Sequence, residues 1–230
     1  MRARTGSVEE ANDLSNIALS PYFIGGALLF VFAGAVAYFW LVSFLFGAGY
    51  QGAPRRSVDA MFRLAEVRPT DTLYELGAGV GAIVFPAARE YGAQVVAVEI
   101  EPLRVLIMRL RRAMGPGAER IRLLRANMFE LDFRPASVVT AFLWPGAMAR
   151  LRPKFEAELR PGTRVLSRCH PILGWTPTQY DRAADVYFYR WPESITSAGS
   201  SGDPTREPDA LAVRVVTSRP APSVRASAPR

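Results

Sequence analysis

Apolar residues follow two different patterns along the 230-residue chain. Residues 1–20 form a mostly polar N-terminal segment, whereas Pro21–Phe46 carries no charged residue. From Pro54 onward, short apolar runs alternate with longer segments in which apolar residues recur every three or four positions. Such alternation is typical of a parallel sheet that helices cover on both faces. We therefore predict an N-terminal apolar helix followed by an α/β domain over residues 54–216.

The charge-free stretch is long enough for a transmembrane helix. About 20 apolar residues are needed to cross the hydrocarbon layer, and Tyr22, Tyr38 and Trp40 stand where interfacial anchors are found. The alternative is a cleaved signal peptide, whose apolar core has roughly 7–15 residues and is shorter than this stretch. We predict an uncleaved, single-pass anchor over residues 21–49 that contacts the lipid bilayer.

The arginines on either side of this stretch predict its orientation. Four of them follow it closely: Arg55, Arg56, Arg63 and Arg68. Only Arg2 and Arg4 precede it. Because positively charged flanks stay in the cytoplasm, we predict a membrane protein whose large C-terminal domain is cytoplasmic.

Within the α/β domain, the pattern predicts strands and helices in alternation. The predicted strands are Thr72–Leu76, Gln94–Glu99, Ile121–Arg125, Ser137–Leu143, Arg164–Ser167, Asp185–Arg190 and Leu211–Val216. The predicted helices are Arg56–Glu66, Ala82–Tyr91, Pro102–Met114 and Pro145–Glu158. Residues 194–209 are rich in Ser, Gly and Pro and predict a flexible loop. Residues 217–230 predict a disordered tail.

The composition limits the chemistry that the chain can perform. The net charge of +7 suits an anionic membrane surface or an acidic partner. Nucleic-acid binding is not predicted, because no basic stripe is interleaved with aromatic residues. Cys169 and His170 are the only residues of their types. A structural zinc site needs four ligands, commonly Cys and His, so no metal site is predicted.

A glycine-rich turn follows the strand that ends at Leu76. Gly77, Gly79 and Gly81 separate this strand from the next predicted helix, and a turn of this kind lets a ligand approach backbone N–H groups. Glu99 ends the next strand, where a carboxylate can accept hydrogen bonds from the two hydroxyls of a ribose. Together these residues predict a nucleoside site.

Glu75 favours one class of nucleoside. It lies two residues before the first glycine, where an ionised carboxylate would repel the pyrophosphate of a dinucleotide. S-adenosylmethionine (SAM) has no phosphate; its ammonium and sulfonium suit a carboxylate, and its own carboxylate suits a helix N-terminus. We therefore predict SAM, with a dinucleotide site or a purely structural turn as the alternatives.

Between Pro54 and Pro177 the chain carries a series of motifs. They are LYELGAGVGAIV (73–84), VVAVEIEP (95–102), NMFE (127–130), VVTAFL (138–143), LRPKFEAELRPGTRV (151–165) and GWTP (174–177). In this order they resemble class I SAM-dependent methyltransferases. Within that class, the chain is similar to the small archaeal protein-lysine methyltransferases and to the membrane-anchored family that methylates a lysine of the ATP synthase c-subunit.

The resemblance implies a Rossmann-like, seven-stranded methyltransferase sheet with SAM as co-substrate, and an anchor just before the catalytic domain is also found in that group. The predicted fold is therefore this α/β sheet with an N-terminal transmembrane helix, and no metal is expected. It identifies the candidate cofactor-binding residues as Glu75, Gly77, Ala78, Gly79, Gly81, Glu99, Ile100, Asn127 and Met128. Glu75 and the first two glycines would hold the methionine end of SAM. Glu99 would bind the ribose, and Asn127 with Met128 would lie beside the adenine.

The resemblance also implies an acceptor slot just beyond the fourth predicted strand. Its candidate residues are Phe142, Leu143, Trp144, Pro145 and Trp175. A mostly apolar slot favours the neutral form of a lysine by desolvation, and aromatic faces can hold its ammonium beforehand. For each aromatic residue, ordinary core packing is the alternative. A further hypothesis gives His170 the role of relaying the lysine proton.

These observations predict a membrane-anchored, SAM-dependent methyltransferase that N-methylates a lysine of a protein acceptor at or near the membrane. The acceptor can itself be a membrane protein. One alternative acceptor is a membrane-dissolved small molecule, such as a quinone or a lipid precursor. A second alternative is a catalytically inactive binding module, because Val80 and Ala82 stand where members of the family usually carry an acid and a base.

Overall fold

The computed structural model describes residues 21–46, 52–196 and 214–216. The predictions for residues 1–20, for residues 47–49, for most of the loop 194–209 and for the tail 217–230 fall on residues outside these ranges. The chain divides into two compact units, residues 1–49 and residues 50–230.

A single helix, α1, makes up the described part of the first unit. It comprises Pro21–Phe46 and has 26 residues, which corresponds to about 39 Å at 1.5 Å per residue. Its side chains from Tyr22 to Tyr38 are exposed, and an 18-residue window, Pro21–Tyr38, is long and apolar enough to cross a membrane. A signal sequence near an N-terminus meets the same criterion, so α1 is a candidate span.

The second unit is built on one mixed sheet. Its strands are β1 (Thr72–Leu76), β2 (Gln94–Glu99), β3 (Ile121–Arg125), β4 (Val138–Ala141), β5 (Arg164–Arg168), β6 (Gln179–Asp181), β7 (Val186–Arg190) and β8 (Arg214–Val216). The strand order is β3-β2-β1-β4-β5-β7-β6-β8. Strands β1 to β5 are parallel, β7 is antiparallel to both β5 and β6, and β8 is parallel to β6. The order reverses between β1 and β4, where α/β sheets of this type bind ligands.

Helices cover both faces of this sheet. They are α2 (Arg55–Ala65), α3 (Val84–Arg89), α4 (Pro102–Ala113), α5 (Pro145–Glu158) and α6 (Glu193–Thr196), with single 3₁₀ turns at Ala118–Arg120 and Met128–Glu130. One core cluster contains the buried residues of α2 and α3 together with Met108 of α4. The other contains the buried residues of α5 together with Phe133. The helices therefore lie in two layers, with the sheet between them.

The strand bounds largely follow the sequence prediction. The bounds of β1, β2 and β3 agree with it to the residue. In β1 and β2 every residue after the first is buried, as expected for strands covered on both faces, whereas in β3 only Ile121 is buried. The structure adds an eighth strand, β6, to the seven predicted. Its three residues include Gln179 and Asp181 and form no apolar run. Residues 194–196 of the predicted loop 194–209 belong to α6 instead.

A buried ion pair joins the amino ends of three strands. Asp71, just before β1, accepts a hydrogen bond from the Arg164 guanidinium at the start of β5 and one from the Ser137 hydroxyl at 2.8 Å. The Ser137 hydroxyl in turn accepts the N–H of Thr72 at 3.0 Å. The side chains of Arg164 and Asp71 are only 15% and 7% exposed. Removing one charge therefore leaves the other buried without its partner.

We expect Asp71→Asn to lower the free energy of unfolding by about 3 kcal/mol, because the isosteric amide leaves the Arg164 charge uncompensated. Denaturant titration of the full chain in detergent measures this loss. The control is Asp132→Asn, which removes an exposed pair with Arg134 and should change stability little. Equal stability of the two variants would contradict this role for Asp71.

Candidate cofactor and acceptor site

The carboxyl end of β1 leads directly into the glycine turn. Gly77, Gly79 and Gly81 have φ values of 73°, 57° and 89°, which side chains with a Cβ rarely adopt. A Cβ at Gly81 would lie 2.5 Å from the Phe85 ring. The N–H groups of Gly77 and Ala78 donate to the Val98 carbonyl of β2 at 3.0 and 2.9 Å. Backbone conformation and lack of space thus both require glycine here.

The Glu99 carboxylate, at the end of β2, lies against this turn. Its Oε2 accepts the N–H of Gly79 at 2.8 Å, and its Oε1 accepts the N–H groups of Ile100 and Glu101, both at 3.0 Å. The residue is 4% exposed, and its hydrogen-bond donors in the structure are these three backbone amides. A carboxylate has about four acceptor positions. Glu99 therefore keeps capacity for a further donor such as a hydroxyl.

Glu75 occupies a different electrostatic environment, although it is also buried. Its carboxyl group lies in β1 and accepts a hydrogen bond from the Thr140 hydroxyl of β4. Burial raises the pKa of Glu75 to about 8; the charge of Glu99 adds to this rise and the bond from Thr140 opposes it. The raised pKa favours the neutral form of Glu75 near pH 7 in this structure, whereas the interpretation of the sequence assumed an ionised carboxylate. A cation placed beside it would restore the charged form.

The remaining candidate cofactor residues follow β2 and β3. Asn127, shortly after β3, accepts the Phe129 N–H at 3.2 Å and donates from Nδ2 to the Glu130 carboxylate at 2.8 Å. Met128 begins the following 3₁₀ turn, and Ile100 is 40% exposed just after β2. Ala126 lies between the end of β3 and Asn127, and its N–H donates to the Glu99 carbonyl at 3.2 Å. The candidate cofactor residues therefore follow three adjacent strand ends.

Four of the five candidate acceptor residues follow β4, next to the glycine turn. A Cβ at Gly77 would meet the buried Leu143 side chain at 3.2 Å, which places Leu143 against the turn. Trp144 is 47% exposed and stacks on His170, with 5.8 Å between ring centroids. The Arg168 guanidinium lies 4.4 Å from the centroid of the Phe142 ring. Pro145 begins α5.

Trp175, the fifth candidate, lies in the core instead. It is 4% exposed, its ring contacts Tyr189 and Trp191, and its indole N–H donates to Glu156 at 2.9 Å. This environment agrees with the core-packing alternative, since protein side chains surround the ring. Trp175 is therefore not included in the proposed acceptor slot.

Sequence reasoning missed an arginine contact to the glycine turn. Arg111 of α4 donates to the Val80 carbonyl, and its guanidinium lies 4.5 Å from the Phe85 ring centroid. Arg89 lies over the same ring at 4.6 Å. These side chains line a cavity of about 320 Å³ beside Gly81. No local signal distinguishes Arg111 from a solvated helix residue, because the contact forms only when α4 packs on the sheet.

Metal ligands do not assemble at this edge of the sheet. Within residues 21–46, 52–196 and 214–216, no three His, Cys, Asp or Glu side chains are grouped so that they can hold a metal ion. The polar groups at the edge include the Glu75 and Glu99 carboxyls, the Thr140 hydroxyl and the backbone amides of the turn. This donor set suits an organic ligand with cationic and hydroxyl groups.

Comparison with known proteins agrees with this geometry. Residues 75–179 match the ANTKMT methyltransferase domain. A protein-lysine N-methyltransferase of Saccharolobus islandicus is 36% identical over 149 residues, which cover 61% of this chain and 91% of that protein. The adenine nucleotide translocase lysine N-methyltransferase of Mus musculus is 31% identical over 129 residues, 56% of each chain. The ATP synthase c-subunit lysine N-methyltransferase of Caenorhabditis elegans is 31% identical over 101 residues, 44% of this chain and 52% of that protein.

One solved structure is also similar over most of its length. It is described as an RNA methyltransferase from Salinibacter ruber in complex with S-adenosyl-L-homocysteine. It is 39% identical with a TM-score of 0.59, and the match covers 62% of this chain and 94% of that one. The Rossmann-like methyltransferase fold predicted from the sequence is thereby confirmed.

The raised pKa of Glu75 predicts a pH-dependent stability. The folded state binds the proton of Glu75 up to about pH 8, whereas the unfolded chain releases it near pH 4.5, so its ionisation destabilises the fold as the pH rises between these values. We expect Glu75→Gln to be more stable than the parent by roughly 2–4 kcal/mol at pH 8 and by much less at pH 5.

Denaturant titration of both chains at the two pH values measures this difference. Glu119→Gln is the matched control, since this side chain is 72% exposed and its removal should give no such trend. A difference between Glu75→Gln and the parent that is the same at pH 5 and pH 8 would contradict the buried, neutral state of Glu75.

Proposed function

We propose that this chain methylates a lysine of a protein acceptor at or near a membrane. The chain belongs to the protein-lysine N-methyltransferase family, and its residues 75–179 match the ANTKMT methyltransferase domain. The chain is a SAM-dependent methyltransferase. The observation that supports lysine as the acceptor is the similarity to the Saccharolobus protein-lysine N-methyltransferase over nearly all of that protein's length.

The polar groups at the carboxyl edge of the sheet fit SAM. SAM supplies a methyl group that is already activated by its bond to a sulfonium. Glu99 retains acceptor capacity for ribose hydroxyls, and the absence of side chains at Gly77 and Gly79 leaves the turn backbone accessible to the methionine end. Burial keeps the Glu75 carboxyl group largely neutral, and a bound ammonium would favour its ionised form. Asn127 and Met128 would border the adenine.

The residues after β4 form the proposed acceptor slot. Phe142, Leu143, Trp144 and Pro145 would hold the lysine in line with the methyl group and exclude water, which is the main requirement of such a displacement. The lysine nitrogen forms a bond to the methyl carbon as the carbon–sulfur bond breaks. The nitrogen must first lose its proton, and an apolar slot favours that loss because desolvation disfavours the ammonium.

We place this activity at a membrane. In this proposal, residues 21–49 anchor the chain in the bilayer and the methyltransferase domain over residues 54–216 lies in the cytoplasm, where SAM is made. The apolar length of α1 supports the anchor, and the arginines that follow it support the orientation. An anchor raises the local concentration of acceptors in the same membrane.

Two other acceptor classes remain to be separated from a protein lysine. A membrane-dissolved quinone or lipid precursor would also meet an enzyme anchored in the bilayer. The similar Salinibacter structure carries the description of an RNA methyltransferase, so RNA is a class that the acceptor assay must include. The lysine N-methyltransferase relatives favour protein over both.

We expect Glu99→Gln to bind SAM about tenfold more weakly or worse, because an amide replaces a charged acceptor of hydrogen bonds. Calorimetric titration of the full chain in detergent with SAM measures the affinity, and a thermal melt verifies that the variant folds. The control Glu66→Gln alters an exposed carboxylate and should bind like the parent. Unchanged affinity in Glu99→Gln would refute this placement of the ribose, as would uptake of NAD in place of SAM.

The acceptor class follows from a labelling experiment. When membranes and the full chain receive SAM labelled in its methyl group, we expect the label to enter material that protease digests and that organic solvent does not extract. Trp144→Ala should lower the labelling rate about tenfold while SAM affinity stays unchanged, because the exposed ring would orient only the acceptor. Label in the lipid extract, or label released by ribonuclease, would contradict a lysine acceptor.

A further inference from the structure

The outer face of α4 is apolar, the reverse of an ordinary surface helix. Among the residues of α4 only Val105 and Met108 are buried. Four large apolar residues form an exposed stripe: Leu103, Leu106, Leu110 and, directly after the helix, Met114. Their exposed fractions range from 48% to 78%. Their spacing of three or four residues places them on one face of the helix.

Positive charge borders this apolar stripe on both sides. The helix contains four arginines and no acidic residue; the arginines are Arg104, Arg109, Arg111 and Arg112. At 100° per residue, Arg109 lies on one flank of the stripe and Arg111 on the other, and both side chains are exposed. The acid that precedes the helix, Glu101, is buried and accepts the N–H groups of Leu103 and Arg104.

The positive surface continues beyond α4. Arg111 also lines the cavity beside the glycine turn, together with Arg55 and Arg89. Glu90 is the acid in that lining, and it pairs with Arg55. The arginines of the lining therefore exceed its acids, and the excess charge lies on the same side of the sheet as the apolar stripe, since α2, α3 and α4 contribute to one core cluster.

We propose that the apolar stripe of α4 docks into the interface of a bilayer that contains anionic phospholipid. The leucines would enter the boundary between headgroups and acyl chains, and Arg109 would meet a lipid phosphate. Arg111, which stays in contact with Val80 and Phe85, would add to the positive potential on the other flank of the stripe. Charge complementarity selects this occupant, because an apolar face flanked by arginines, on a helix without acidic residues, matches an anionic, apolar surface. A second copy of the chain would place arginine opposite arginine, which is unfavourable.

This proposal goes beyond the methyl transfer and does not depend on it. Docking through α4 would give the domain one orientation relative to the bilayer. The surface would act as a second contact with lipid, separate from the anchor proposed for residues 21–49, and two weak membrane signals together hold a protein more firmly than one.

Spin labelling of the full chain tests the docking. With Cys169, the only native cysteine, replaced by Ser, a label at Leu106→Cys reports on the stripe, and a label at Arg182→Cys, in the exposed turn before β7, is the control. The chain is reconstituted in vesicles of phosphatidylcholine with and without phosphatidylglycerol. When phosphatidylglycerol is present, we expect the Leu106→Cys label to become accessible to lipid-soluble oxygen and protected from a water-soluble nickel complex.

A charge variant provides the second arm of the test. Adding Arg109→Gln to the Leu106→Cys chain should lower the ratio of docked to undocked domain about fivefold, which is the effect of losing one arginine near an anionic surface. High salt should weaken docking in the same direction. Because Leu106 and Arg109 are exposed, the variants should keep the parent's melting temperature and its affinity for SAM in detergent, which separates lost docking from misfolding.

Two results would overturn the proposal. One is a Leu106→Cys label that stays accessible to the nickel complex in both vesicle types. The other is a label that is protected from nickel and from oxygen alike and that shows dipolar coupling between labelled chains, since this would indicate a contact between two copies. The control label at Arg182→Cys should remain accessible to nickel throughout.

Discussion

The carboxylate of Glu99 holds the carboxyl edge of the sheet together. It accepts the amide of Gly79 from the turn after β1 and the amides of Ile100 and Glu101, where α4 begins. A buried amide that loses its acceptor costs about 1–3 kcal/mol. One side chain thus links the glycine turn to the start of α4, in addition to the backbone bonds that Gly77 and Ala78 donate to Val98.

The two buried acids at this edge have different surroundings. The Glu99 carboxylate accepts three backbone amides, whereas burial raises the pKa of Glu75 and favours its neutral form. A neutral Glu75 would repel a pyrophosphate only weakly, so simple repulsion does little to exclude a dinucleotide. The preference for a cationic ligand comes instead from the gain when a cation lets a buried carboxyl group ionise.

The sequence predicted those elements whose conformation depends on their own residues. The strands β1, β2 and β3 are short, mostly apolar runs, and the positive φ angles at Gly77 and Gly79 require glycine, so both the strands and the turn could be recognised in the chain. Strand β6 could not, because its pairing with β7 and β8 rather than its own residues makes it a strand. The core position of Trp175 and the contact of Arg111 with the turn likewise arise only from packing between distant segments.

The last strand has a consequence for the edge of the sheet. β8 pairs with β6 over Gln179–Asp181, and these two strands, each three residues long, stand at one end of the strand order. A short outer strand offers few unpaired amides and carbonyls, which protects a protein against strand exchange with its neighbours. A chain truncated before Arg214 would expose the backbone amides and carbonyls on the outer side of β6. These groups would then be available to pair with a strand of another chain, which promotes aggregation.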